Sequence, residues 1–129
     1  MKQNNKKDES AVLADVVVKG ILEKKGKNVI CLDLKNISTA VCDYFIICEA
    51  DSSTQVESIA KSVDHEVKKT LDENPYHSEG FENAEWILID YINVVVHIFQ
   101  KDAREFYNLE SLWADAEVKK IKEYSSSVY

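Results

Sequence analysis

Glu85-Trp86-Ile87-Leu88-Ile89-Asp90-Tyr91-Ile92-Asn93-Val94-Val95-Val96-His97-Ile98-Phe99-Gln100 consists of two apolar runs joined at Ile92-Asn93, and it reads as a β-hairpin. A two-residue turn at that junction pairs Tyr91 with Val94, Asp90 with Val95, Leu88 with His97 and Trp86 with Phe99. Side chains alternate across a strand, so each register defines two faces. One face carries Ile87, Ile89, Tyr91, Val94, Val96 and Ile98, is almost wholly aliphatic, and belongs against a helix. The other carries Trp86, Leu88, Asp90, Val95, His97 and Phe99, large apolar groups broken by one carboxylate and one imidazole. Such a face is either covered by a further element that satisfies Asp90 and His97, or it is a binding surface. Aromatic side chains are enriched where partners bury area, and a polar group among them fixes orientation. The turn lacks the glycine that two-residue hairpins favour, and β-branched Ile92 resists a positive φ.

Upstream of the hairpin the pattern alternates between helix and strand. Ser10 is a plausible N-cap for a helix with Leu13, Val16, Val17, Gly20 and Ile21 at helical spacing, stopped at Gly26. Val29 to Leu34 reads as a strand, and Asp43 to Cys48 as a central strand apolar on both faces. Asp51-Ser52-Ser53-Thr54 supplies several possible caps, Thr54 with Glu57 at capping-box spacing, ahead of a helix with Val56, Ile59, Ala60, Val63 and Val67 on one stripe, ending near Asn74-Pro75. Tyr76 to Asn83 reads as a loop. Downstream, one helix is expected from Asp102 through Trp113, carrying Phe106, Tyr107, Leu109, Leu112 and Trp113. The order is α-β-β-α-β-β-α, an α/β (mixed α+β) fold with one mixed β-sheet and flanking helices. Residues 10–118 are expected to form one domain, between a disordered N-terminal tail over 1–9 and a C-terminal tail over 119–129.

Composition excludes several classes of function. The chain has 129 residues, 45% of them hydrophobic and 30% charged, ordinary values for one globular domain. No apolar run is long enough to span a bilayer, and no secretory signal follows the N-terminal lysines. The three cysteines, Cys31, Cys42 and Cys48, make no C-x-x-C pair, which points to a reducing compartment and hence the cytoplasm. From Thr70 to Gln100 there is no Lys or Arg, whereas Asp72, Glu73, Glu79, Glu82, Glu85 and Asp90 are present. That half of the chain repels phosphate, which argues against direct sequence-specific nucleic-acid binding there. It is either a solvated acidic face or suited to a basic protein partner. With only Gly20, Gly26 and Gly80, no glycine-rich phosphate loop is possible. His65, His77 and His97 have no zinc-ligand spacing, and the strands offer only the single acids Asp33 and Asp43 to magnesium. A thiol–imidazole pair of Cys42 or Cys48 with His97 has no local sequence support. Binding is expected rather than catalysis, with no catalytic residue, metal or cofactor.

Four segments in order carry a family resemblance. They are Asp43-Tyr44-Phe45-Ile46-Ile47-Cys48 with Ser52-Ser53 and Gln55-Val56; Glu79-Gly80 with Ala84 through Tyr91; Val94 through Phe99; and Arg104 through Trp113. Together they resemble the Iojap family of ribosome-silencing factors, from about Leu13 to Trp113. The family has Gly-Asp where this chain has Ile92-Asn93, and Gly where it has Ala50. The resemblance implies a fold like that of the nucleotidyltransferases without their active site. It also implies a partner, the large ribosomal subunit through ribosomal protein L-fourteen, with small-subunit joining blocked by steric exclusion and translation repressed when nutrients are short. A homodimer is a further implication. On this reading Trp86, Leu88, Asp90, His97 and Phe99, with Tyr107, Leu109 and Trp113, form the centre and edge of the partner contact. Two other readings stay open here: a nucleotide-binding or nucleotidyl-transferring enzyme of the related fold, and a general protein-interaction module.

Overall fold

Strands β2 (Tyr44–Ala50) and β5 (Val94–Gln100) lie side by side and parallel at the centre of a six-stranded sheet. A computed structural model describes the backbone of residues 2–122 and the side chains of residues 9–122. The remaining elements are α1 (Lys2–Glu23), β1 (Lys27–Asp33), α2 (Ser53–Leu71), β3 (His77–Glu79), β4 (Trp86–Asp90), α3 (Lys101–Tyr107), a 3-10 helix (Leu109–Trp113) and β6 (Glu117–Lys120). Strand order is β3-β4-β5-β2-β1-β6, with every neighbouring pair except β2–β5 antiparallel. The parallel pair is possible because α2 and the β3–β4 segment carry the chain back over the sheet, a crossover that parallel strands require.

Helices α1 and α2 cover one face. Leu13, Val17 and Ile21 from α1, and Val56, Ile59, Val63 and Val67 from α2, pack on Ile46, Cys48, Ile87, Ile89, Tyr91, Val94, Val96 and Ile98. Each fully buried aliphatic side chain of this kind stabilises by about 1.5–3 kcal/mol. The helices cross closely because Gly20 has no side chain: a Cβ there would stand 2.8 Å from Val63 Cα. Ser62 Oγ donates to Gly20 O at 2.7 Å across the same crossing.

The mixed fold and the hairpin agree with the sequence reading, register included: Trp86 opposes Phe99, Leu88 opposes His97 and Asp90 opposes Val95. Several boundaries differ. The backbone of α1 is helical from Lys2, so Ser10 lies within the helix rather than capping it. Ser10 is buried, donates to Asp43 Oδ2 at 2.6 Å and accepts from Asn93 Nδ2 at 2.8 Å. Residues 2–9 of the expected tail thus join α1 along their backbone; residue 1 and the side chains of residues 2–8 lie outside the described residues. Ser52, not Thr54, caps α2, accepting from Gln55 N at 3.1 Å. The loop expected over 76–83 contains β3, and the tail expected over 119–129 begins with part of β6, which pairs with β1. Residues 123–129 lie outside the described residues. Both unexpected strands are exposed along their whole length, so they have no apolar alternation to announce them.

The expected last helix is two short pieces. Asn108 adopts φ 47 and ψ 51, ends α3 with its N–H bonded to Arg104 O, and starts the 3-10 helix in a new direction. Asparagine tolerates that left-handed conformation better than most residues. The hairpin turn is also left-handed, with Ile92 at φ 79, an exposed side chain, and Asn93 N bonded to Tyr91 O at 3.0 Å. Asp90 Oδ1 holds the strained residue by accepting from Ile92 N at 2.7 Å.

Two substitutions test these backbone constraints through urea or thermal unfolding. Ile92→Gly removes a strain of about 1–3 kcal/mol against a glycine entropy cost of roughly 0.5–1 kcal/mol, so it should stabilise by about 1 kcal/mol. Gly80 has φ +95, and a Cβ there would meet Trp86 O at 2.1 Å. Gly80→Ala should therefore destabilise by at least about 2 kcal/mol; a neutral result would show that the β3–β4 connection is adjustable.

Candidate functional site

The sheet face opposite the two long helices holds a second, smaller core. Leu32, Leu34, Cys42, Ile47, Val95 and Phe99 are buried there, with Phe45, Trp86, Leu88, Ala103, Leu109, Trp113 and Ala116 packed around them. The cover comes from the chain after β5, where α3 and the 3-10 helix fold back over the sheet, and from the β1–β2 connection. Because these elements are short, they cover only part of the face.

The eight residues singled out from the sequence therefore separate into two groups. Phe99 is fully buried and His97 nearly so, which removes them from direct contact with a partner and makes them the floor of the site. Trp86, Leu88, Asp90, Leu109 and Trp113 are half-buried, and Tyr107 is exposed. The structure brings the aromatics together: the Trp86 ring lies 4.9 Å from Phe99 and 4.8 Å from Tyr107, while Phe45 meets Trp113 edge-on at 5.8 Å. Sequence reasoning missed two residues of this surface. Phe106 (80% exposed) and Leu112 (72% exposed) project into solvent, although a single helix to Trp113 would carry them with its apolar residues. Phe106 stands on α3 before Asn108 and Leu112 on the 3-10 helix after it, and an asparagine in an otherwise regular helical pattern was the available signal for that break.

Polar groups set the geometry of this face. Trp86 Nε1 donates to His97 Nδ1 at 3.1 Å, so the imidazole proton sits on Nε2 and the indole plane is fixed. Phe45 closes over the imidazole edge-on, with ring centroids 4.7 Å apart. Burial pushes the His97 imidazole down from 6.5 to about 4, so it is a neutral acceptor at physiological pH. Arg104 anchors the cover. Its Nε and Nη2 donate to Glu110 Oε2 at 3.1 and 3.0 Å, and its Nη1 donates to Glu49 Oε1 at 3.1 Å and to Asn28 O at 2.7 Å. The guanidinium and the Glu49 carboxylate are both buried, so each depends on the other for compensation of its charge.

This arrangement suits binding. Cys48 is buried in the helix-side core, on the opposite face from His97. Cys42 donates to Tyr44 O at 3.6 Å, and burial raises its thiol to about 11. The thiol–imidazole pair considered from the sequence is therefore not assembled. Among the described residues no group of three His, Cys, Asp or Glu could hold a metal ion, and no helix is long and apolar enough to cross a membrane.

His97 makes stability depend on pH in a definite direction. Its folded pKa lies below its unfolded value of 6.5, so the unfolded chain binds the extra proton first. Stability from this group is complete above about pH 6.5 and declines as pH falls toward 4, by roughly 3 kcal/mol in all. His97→Gln keeps a hydrogen-bond acceptor without titrating in this range. Urea titrations at pH 7 and pH 4 should show a smaller loss for the variant; an equal loss would place the dependence elsewhere.

Comparison with known proteins follows the same line. Residues 7–128 match the family model described as "Ribosomal silencing factor during starvation". The ribosomal silencing factor of Halalkalibacterium halodurans is 44% identical over 107 residues, covering 81% of this chain and 87% of the relative. That of Bacillus subtilis is 45% identical over 97 residues, covering 73% and 78%. Plant organelle proteins named Iojap match over shorter spans. A crystal structure of a Chromobacterium violaceum protein superposes with a TM-score of 0.76 at 28% identity, covering 91% of this chain and 92% of that one. A family model spanning nearly the whole sequence, together with relatives of this identity and coverage, shows that the chain belongs to the ribosomal silencing factor family.

Proposed function

We propose that this protein binds the large ribosomal subunit through ribosomal protein L-fourteen and blocks small-subunit joining by occupying the space it needs. It does so by binding alone, in the cytoplasm, and its action represses translation during starvation. The observation that carries this reading is the apolar ridge of half-buried Trp86 with exposed Tyr107 and Phe106, beside a segment without basic residues. Phe106 and Tyr107 meet edge-on at 5.0 Å, and Tyr107 leans on Trp86, so the ridge is pre-assembled and little side-chain freedom is lost on docking. Asp90 stands on the same sheet face as Trp86 and Leu88, and the stretch from Thr70 to Gln100 contains acids but no Lys or Arg. An apolar centre with an acidic border complements a basic ribosomal protein rather than bare RNA. The family description names silencing and starvation, which agrees with a contact that excludes the other subunit.

Co-sedimentation tests this directly. The protein should travel with isolated large subunits and be absent from joined ribosomes; recovery from joined ribosomes at equal occupancy would overturn steric exclusion. A stable contact should bury roughly 1,200–2,000 Å², with a few aromatic anchors dominating. Phe106→Ala should weaken binding at least tenfold with unfolding unchanged, and Trp86→Glu should abolish it. Phe99→Ala should instead cost about 3–5 kcal/mol of stability, since that ring is floor and not surface. Normal binding by both surface variants would place the contact elsewhere.

A further inference from the structure

The docking face has two rims of opposite charge. Paired residues on neighbouring strands share a face. Glu79 opposes Leu88, which places Glu79 with Leu88 and Asp90 at the β3–β4 rim. At the far rim Val118 opposes Leu32 and Lys120 opposes Ile30, and both partners belong to the small core of this face. Lys122 follows two positions after Lys120, just past the end of β6. Lys120 and Lys122 are exposed. The nearest carboxylates on this side are engaged: Glu110 and Glu49 both accept from Arg104. Glu117 and Asp33 oppose each other and alternate with Leu32 and Val118, which puts them with Lys119 on the helix side.

Four strand spacings separate β4 from β6, about 19 Å. The Debye length at physiological salt is about 8 Å, so the acidic and basic rims act as independent sites and do not cancel. A uniformly basic partner would be attracted at one rim and repelled at the other. We propose that Lys120 and Lys122 hold backbone phosphates of ribosomal RNA bordering the protein contact, so that the face straddles a junction of protein and RNA. This rests on the large-subunit reading above and adds the RNA to it. The β6 rim is continuous with the proposed contact, since the chain runs from Trp113 through a short turn into Glu117–Lys120.

The test is the salt dependence of binding to purified large subunits. Each phosphate contact contributes about 0.7–0.9 to the slope of log K against log salt. Lys120→Gln with Lys122→Gln should lower the slope by about 1.4–1.8, and should remove backbone protection of adjacent RNA from hydroxyl radicals. Lys24→Gln with Lys61→Gln, on the helix-covered side, is the control for overall charge. An unchanged slope in the β6 variant, or an equal loss in the control, overturns the proposal. A wild-type protein that fails to bind large subunits at all would overturn the function itself, and the RNA contact with it. Both pairs are exposed, and matched unfolding curves confirm that the fold is intact.

Discussion

Strand β5 is buried on both faces, and that single constraint organises the molecule. From Val94 to Phe99 every residue is buried, so neither side of the strand can be left to water. The helix-side residues are satisfied by α1 and α2, which bring long apolar stripes. The other side receives α3, a 3-10 helix and the β1–β2 connection with Ile37, Ala40 and Cys42, short pieces that leave it partly uncovered. Phe99 and His97 are sealed beneath them while Trp86, Leu88 and Trp113 stay half in solvent. The aromatic surface proposed for binding is thus the part of the second face that the chain does not cover itself.

A buried guanidinium ties the cover to the sheet alongside its apolar packing. Arg104 joins α3, the 3-10 helix, β2 and the β1 bulge through one guanidinium, using a planar fork that a lysine could not reproduce. Its acceptors Glu49 and Glu110 come from positions 55 before and 6 after it, so one side chain links distant chain segments. Aromatic contacts then refine the surface, and the His97 imidazole supplies the only hydrogen bond to the Trp86 indole among the described residues.

Much of this could be read from the chain. The hairpin register was legible because both of its faces are apolar, leaving one pairing that separates aliphatic from aromatic residues. The helix stripe of Val56, Ile59, Val63 and Val67 was legible for the same reason. Strands β3 and β6 were not, because His77–Glu79 and Glu117–Lys120 are fully exposed and owe their strand form to neighbours distant in sequence. The aromatic face of the hairpin was legible, but its layers were not. Trp86 and Phe99 share a face in the observed register, yet only the fold of the chain after Gln100 decides that Phe99 is floor and Phe106 is surface. One left-handed residue, Asn108, ends α3 there and starts the 3-10 helix.

The parallel pairing of β2 with β5 has a consequence for how the molecule comes to exist. It joins Tyr44 to Val94 and Ala50 to Gln100, partners about fifty positions apart. Contacts so distant in sequence must close a long loop before they gain anything, which slows folding. A nascent chain cannot complete the centre of its sheet until β5 has left the exit tunnel, nor seal the second core until Trp113 has followed. The aromatic surface around Trp86 and Trp113 therefore forms only after both β5 and the 3-10 helix have been made.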